Sequence, residues 1–343
     1  MGRIYQAIQV LLPESAQPEP FSNPEKDADV AAALDLLATS TEQLETHVDD
    51  DAESGFLARS VARDARDVAR AHAEGRRDRA AFLVRKVTEN CVVCHSRLPD
   101  AAERPLASGF VDAKGLEALP FEQKAALQMA TRRFDDALLT LEAQLTSPEH
   151  PAMLLGSLTD YLVISIRTQQ DYERPLPVLE RFARRPDIWT ALRRDVEFWI
   201  DALPRLQKRT SGRPRLEDAR EIAEEARSLA VAPGSHRGVA HYVVASSILE
   251  RFLEAGRGDR VENAEAYYLL GLTEAWIGRN YWVTSAPFLF ETAIRMAPGE
   301  PFSRDAYALL ERETLQFYEG SDEEISPDDA SNLAELRALF DTP

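Results

Sequence analysis

Cysteine is nearly absent from this chain of 343 residues: Cys91 and Cys94 are the only two. No second pair exists to complete the four ligands of a structural zinc site. A disulfide between two cysteines so close in sequence would close almost no loop and add little stability. Long apolar runs are missing too. None reaches the roughly 18 residues that a membrane-crossing helix requires. Positive charge is in deficit, with 40 Lys and Arg against 58 Asp and Glu, a net charge of −18. That balance disfavours nucleic acid and anionic lipid as partners, and it favours basic proteins. The first residues, Met1-Gly2-Arg3-Ile4-Tyr5, hold neither an apolar signal core nor a small-residue cleavage site.

What remains is the composition of a folded protein, 44% hydrophobic and 29% charged. Its length exceeds one comfortable core and points to two helical units. The apolar residues recur at steps of three and four, the period of amphipathic helices. A short helix at 3–12 precedes a proline-rich loop, residues 13–26. Helices are then expected over 27–48 (Val30, Ala33, Leu37, Leu44, His47 and Val48 on one face), 53–74 (Leu57, Val61, Ala65, Val68, His72) and 78–98. Asp49-Asp50-Asp51 and Gly75-Arg76-Arg77 separate them, and such short connections make antiparallel neighbours.

Residues 99–120, with Pro99, Pro105, Gly109, Gly115 and Pro120, read as a linker. Beyond it the helices come in pairs. Phe121–Thr146 turns near Arg132-Arg133-Phe134, with Ala137 and Leu141 inward. Tyr267–Pro298 carries Tyr267, Leu270 and Gly271, then Ala286, Phe290 and Ala293. These two resemble the tetratricopeptide repeat, in which small residues mark the crossing of two helices. Segments 150–171, 174–209 and 215–256 read as further pairs. The fold expected is all-α: an antiparallel helical bundle over 1–98, a linker over 99–120 and a helical-hairpin solenoid over 121–343.

The chemistry lies in Cys91-Val92-Val93-Cys94-His95. Two thiols one helical turn apart can each add to a vinyl group of haem, and the histidine that follows then lies under the iron. A thioredoxin-type pair would sit where a strand turns into a helix. Here the stripe Ala80, Val84, Val87, Cys91, Cys94, Leu98 keeps helical spacing throughout. One covalent haem c is therefore expected, tethered by Cys91 and Cys94 and ligated by His95.

With that motif near the end of the last helix of a bundle, residues 1–100 resemble cytochrome c′, the helical-bundle class of c-type cytochromes. The resemblance is specific at Cys91, Cys94 and His95 and architectural elsewhere. It implies a helical bundle, an iron bound from its fifth position by His95, and a sixth position often left open. The short first helix departs from that family's pattern. The alternating helix directions put His47 at the same end as His95, on an inward face, which makes it the candidate sixth ligand. Its other reading is a cation favoured at a helix C-terminus. His72 falls at the opposite end, roughly 24 Å away at 1.5 Å per residue, and reads as a core residue. Methionine is the competing sixth ligand, with Met153 at a plausible sequence distance, but Met129 and Met153 both read as core. His236 and His241 flank a helix start and read as surface or capping residues.

Asp49-Asp50-Asp51 starts a helix and would also steer a basic redox partner. The tail from Glu319 reads as a solvated acidic helix. The expected function is single-electron transfer by a periplasmic monohaem c-type cytochrome, an electron carrier and not an enzyme in its own right. The leader that export requires would then lie outside these 343 residues. Its partners would be redox proteins with a basic docking patch, and the chain a subunit of a larger complex. Two alternatives stand beside this: a helical-repeat assembly subunit of a redox complex, and a haem peroxidase or gas-binding protein.

Overall fold

The computed structural model describes residues 2–15, 17, 19–46, 52–95, 119–148, 155–229, 235–277, 286–318, 325 and 327–340. These residues are all-helical, with fifteen α-helices and no strand among them. By its contacts the chain divides into two compact units, Met1–Ile164 and Ser165–Asn280 with Thr284–Pro343. The expected linker falls almost wholly outside the described residues, and the first unit continues beyond it.

The first unit begins with α1 (Gly2–Ser15), α2 (Asp27–Glu42), α3 (Ala52–Ala73) and α4 (Arg77–His95). Helix α1 is longer than the expected 3–12, because Pro13 is accommodated within it and Ser15 Oγ bonds the Leu12 carbonyl at 2.7 Å. Helix α2 ends early and tightens into a 3₁₀ turn, Gln43–Thr46. Each of the four packs on the next, and α1 packs on α4, which closes a four-helix bundle. Its core takes one stripe from each helix: Ile4, Ile8 and Leu11; Val30, Leu34 and Leu37; Val61, Ala65 and Val68; Ala80, Val84 and Val87. These are the inward positions that the periodicity demands.

Gly75 ends α3 at φ +73°, the left-handed conformation in which glycine carries no steric penalty. Its N–H bonds the His72 carbonyl and that of Arg76 bonds the Ala71 carbonyl, each at 2.9 Å, so the chain reverses into α4 within three residues. Helix α5 (Phe121–Ala130) then packs on α4, and Leu119 and Leu127 join the bundle's own core. Helices α6 (Phe134–Thr146) and α7 (Leu155–Leu162) follow. Ala137 and Leu141 of α6 are buried, as their spacing requires.

The chain passes through a π-helical turn, Val163–Thr168, into the second unit. That unit holds α8 (Pro175–Ala183), α9 (Thr190–Thr210), α10 (Leu216–Ser228), α11 (Val239–Glu254), α12 (Arg260–Ile277), α13 (Ala286–Met296), α14 (Pro301–Tyr318) and α15 (Pro327–Ala338). Of the expected pairs α8–α9, α10–α11 and α12–α13 are present, whereas the described part of 150–171 is not a pair but the one helix α7 running into the π-helical turn; most helices of the second unit also touch the next but one. A reciprocal cap starts α12: Asp259 Oδ1 accepts from the N–H groups of Val261 and Glu262, and Glu262 Oε2 accepts from that of Asp259.

Gly271 lets α12 and α13 cross closely. A Cβ there would lie 2.8 Å from the Phe290 ring, so any side chain at this position forces the ring or the helices to shift. The expectation of a solvated tail needs correction. Leu333 and Leu336 of α15 are buried with Phe290, Ala306 and Leu310, and Glu335 pairs with Arg295 at 2.7 Å. Glu335 is exposed, but the apolar stripe of α15 is docked.

Candidate functional site

Helix α4 keeps α-helical backbone geometry through His95. Its buried positions are Ala80, Ala81, Leu83, Val84, Val87 and Thr88. Continued at 100° per residue, positions 91 and 95 fall in line with 84 and 88, and position 94 follows 87. Cys91 and Cys94 thus stand on the backbone one turn apart, at the C-terminal end of the bundle's fourth helix, with His95 next to them. The side chains of Cys91, Cys94 and His95 lie outside the described residues. The donor set, two thiols and an imidazole in unbroken helical register, fits covalent haem. A strand-to-helix redox pair does not fit, since fourteen helical residues precede Cys91 in α4.

His47, Asp49, Asp50, Asp51 and Met153 lie outside the described residues. His72 is half-buried in the last turn of α3, its ring edge-on to Phe21 with 5.6 Å between centroids. The α3–α4 turn is adjacent to it, so nearly the whole length of α4, roughly 25 Å, separates it from His95. Met129 is buried in α5 and serves as core.

Of the two histidines of the second unit, one departs from expectation. His236 does take part in the helix approach: its N–H donates to Asp195 Oδ2 at 2.9 Å, and its carbonyl accepts from Trp199 Nε1 at 3.0 Å. His241 is no surface residue. It is 1% exposed, stacked on Phe198 at 5.8 Å, with Nε2 3.5 Å from Glu225 Oε1. Burial pushes its pKa below the ordinary value, against the opposing pull of Glu225. It sits on the inner side of α11, a helix buried over almost its whole first half, and its surroundings explain the error: neighbours such as Ala240, Tyr242 and Val243 are all inside.

One buried polar cluster was not foreseen. Arg167, on the π-helical turn, reaches Glu274 Oε1 of α12 at 2.5 Å and Glu250 Oε1 and Ser246 Oγ of α11 at 3.5 Å. Its side chain is 5% exposed and that of Glu274 is 7%. The sequence did carry a signal, because Glu274 shares the helical stripe of Leu270 and Ile277. Trp276 stacks on Tyr242 at 5.3 Å between α11 and α12, while Tyr281 and Trp282 lie outside the described residues.

Among the described residues no group of three or more His, Cys, Asp or Glu side chains could hold a metal ion, and no helix is long and apolar enough to cross a membrane. No family model matches the chain, and neither a curated protein nor a solved structure is similar to it.

Proposed function

We propose that this chain is a periplasmic monohaem c-type cytochrome that transfers single electrons. The observation that carries the reading is Cys91-Val92-Val93-Cys94-His95 at the end of the fourth helix of a closed four-helix bundle. In this reading Cys91 and Cys94 each form a thioether by adding a thiol across a vinyl group, and His95 is the axial ligand from the same helix. The bound group would supply the one-electron Fe(III)/Fe(II) couple; the protein sets its potential, access and partner. The first unit then resembles cytochrome c′ in architecture, and a first helix of fourteen residues supports the likeness better than the short one read from sequence. His47 is proposed as the sixth ligand.

Residues 165–343 are proposed to dock the carrier to a redox partner or into a larger complex. Stacked helical hairpins with a glycine crossing at Gly271 support a tetratricopeptide-like role. The charge of −18 favours partners that present a basic patch. Covalent haem is attached outside the cytoplasmic membrane, which places the proposed site of action in the periplasm.

The test is the absorption spectrum of oxidised and reduced protein made with an active haem-attachment system. Two nitrogen ligands give a low-spin spectrum that does not change with carbon monoxide; His47→Ala should turn it high-spin and admit carbon monoxide. A high-spin wild type would instead favour the gas-binding alternative.

A further inference from the structure

The loop that joins α8 to α9, with the helix ends beside it, carries charge opposite in sign to the molecule as a whole. Residues 181–194 hold Arg181, Arg184, Arg185, Arg193 and Arg194 against the single acid Asp187, a net of +4 in a chain of −18. Arg181, Arg184 and Arg194 are exposed and Arg193 is half-buried. The first turn of α9 carries no acid. Three acids flank the stretch on the two helices. Glu180 pairs with Arg184 at 3.2 Å across an exposed contact, which holds that arginine only weakly. Asp195 is buried against Arg237, and Glu197 is exposed one turn further along α9.

Trp189 stands in the middle of this stretch and is 56% exposed, whereas Trp199 of α9 is fully buried. Its setting is fixed by its neighbours. Arg185 lies over the Phe182 ring and holds both carboxylate oxygens of Asp187, at 3.0 and 2.7 Å. Arg193 reaches back to donate to the Arg185 carbonyl at 2.8 Å, and its backbone N–H bonds the Trp189 carbonyl at 3.0 Å. Ile188 is buried directly before the indole. The loop is tied at both ends, and the tryptophan is presented to solvent before anything binds it. Scattered exposed apolar side chains need no explanation. A tryptophan held among arginines has the composition of an interface anchor, because both residue types concentrate binding energy and a preformed loop loses little freedom on binding.

We propose that the Trp189 loop is a docking site for an acidic segment of a partner protein. The indole supplies the apolar contact, and Arg184, Arg193 and Arg194 supply the charge that selects carboxylates. The inference stands without the haem reading. It also goes beyond the docking role given above, whose partner is basic: here the sign is reversed and the surface is confined to one loop. A second copy of the chain is a poor occupant, since two molecules of −18 repel each other. The same charge disfavours an anionic bilayer, and this stretch exposes one large apolar side chain where a membrane surface needs an apolar face.

Fluorescence anisotropy of a fluorescein-labelled peptide, glutamates flanking a Phe-Pro pair that can meet the indole, tests this with the full-length chain. Wild type should bind it, more weakly as salt rises, and should ignore the same peptide with glutamine in place of glutamate. Trp189→Ala should lower affinity about tenfold, a loss in keeping with an interface anchor. Arg184→Gln combined with Arg194→Gln should lower it several-fold. Arg257→Gln, a change of the same charge past the C-terminal end of α11, should leave it unaltered. All these side chains are exposed, so thermal midpoints should match wild type. No binding by wild type, or wild-type affinity in both the tryptophan and the double arginine variants, would overturn the proposal while leaving the cytochrome reading intact. Binding to phosphatidylglycerol vesicles in place of the peptide would overturn it in favour of a lipid surface. A Trp189-dependent change in sedimentation of the protein alone would overturn it in favour of a second copy.

Discussion

At the scale of single residues, steric exclusion and buried charge make the sharpest statements. Gly271 faces the Phe290 ring and Leu289 Cβ so closely that α12 and α13 must part to admit a methyl group. Gly271→Ala should cost about 1–3 kcal/mol, the usual range for overpacking, read as a lower thermal midpoint; an unchanged midpoint would mean that the helices separate freely. Arg167 lies between two carboxylates, Glu250 and Glu274, almost out of water. Arg167→Met leaves both acids without this guanidinium and should cost about 3–5 kcal/mol, the range for removing one partner of a buried pair. Glu274→Gln keeps a hydrogen-bond acceptor and should cost less. Equal losses in urea unfolding would show that the guanidinium does not balance both carboxylates.

At the scale of helices, most of the architecture was legible because periodicity reports directly on burial. The described core positions of the α2, α3 and α4 stripes and the turn at Gly75 are where the pattern puts them. So are the hairpins α5–α6, α8–α9, α10–α11 and α12–α13. Helix ends were less legible. Pro13 reads as a breaker but is tolerated in α1, and position 44 lies in a 3₁₀ turn where the apolar spacing suggested more α-helix. His241 was misread because polarity was taken for exposure. Its surroundings lead to a pH prediction.

His241 of α11 stacks on Phe198 of α9 and meets Glu225 of α10, within electrostatic reach of Arg205 and Arg209 of α9, while Arg237 lies over Phe198 from the approach to α11. Its folded pKa is depressed from the unfolded 6.5, chiefly by burial. The unfolded chain therefore binds the proton more tightly. The stabilisation is fully present above the unfolded pKa and is lost as pH falls below it toward the folded pKa. His241→Phe, which keeps an aromatic ring against Phe198, should flatten stability against pH between about 7 and 5 in denaturant titrations. An equally steep loss in the variant would place the acid sensitivity elsewhere.

At the scale of the whole molecule, the chain is strongly acidic and its second unit offers no metal-binding group among the described residues. In the proposed role the charge of −18 means that electron exchange with a cationic small redox protein should slow steeply as salt rises, and exchange with an anionic mediator should quicken. A rate indifferent to ionic strength would show that the net charge plays no part in docking. The division into units at Ile164 was not legible in sequence, because the composition shifts at the proline- and glycine-rich stretch 99–120, whereas Leu119 and Leu127 complete the first core from beyond it. Cys91-Val92-Val93-Cys94-His95, by contrast, stands out in the sequence itself, since the haem reading proposed for it rests on residue type and spacing alone.

The central claim is one covalent haem on Cys91 and Cys94, and haem staining after acid–acetone extraction and a denaturing gel tests it most directly. Wild-type protein made with an active attachment system should keep a stained band at the mass of the chain, and the Cys91→Ala, Cys94→Ala double variant should lose it. An unstained wild-type band, or a stained double variant, would contradict the account.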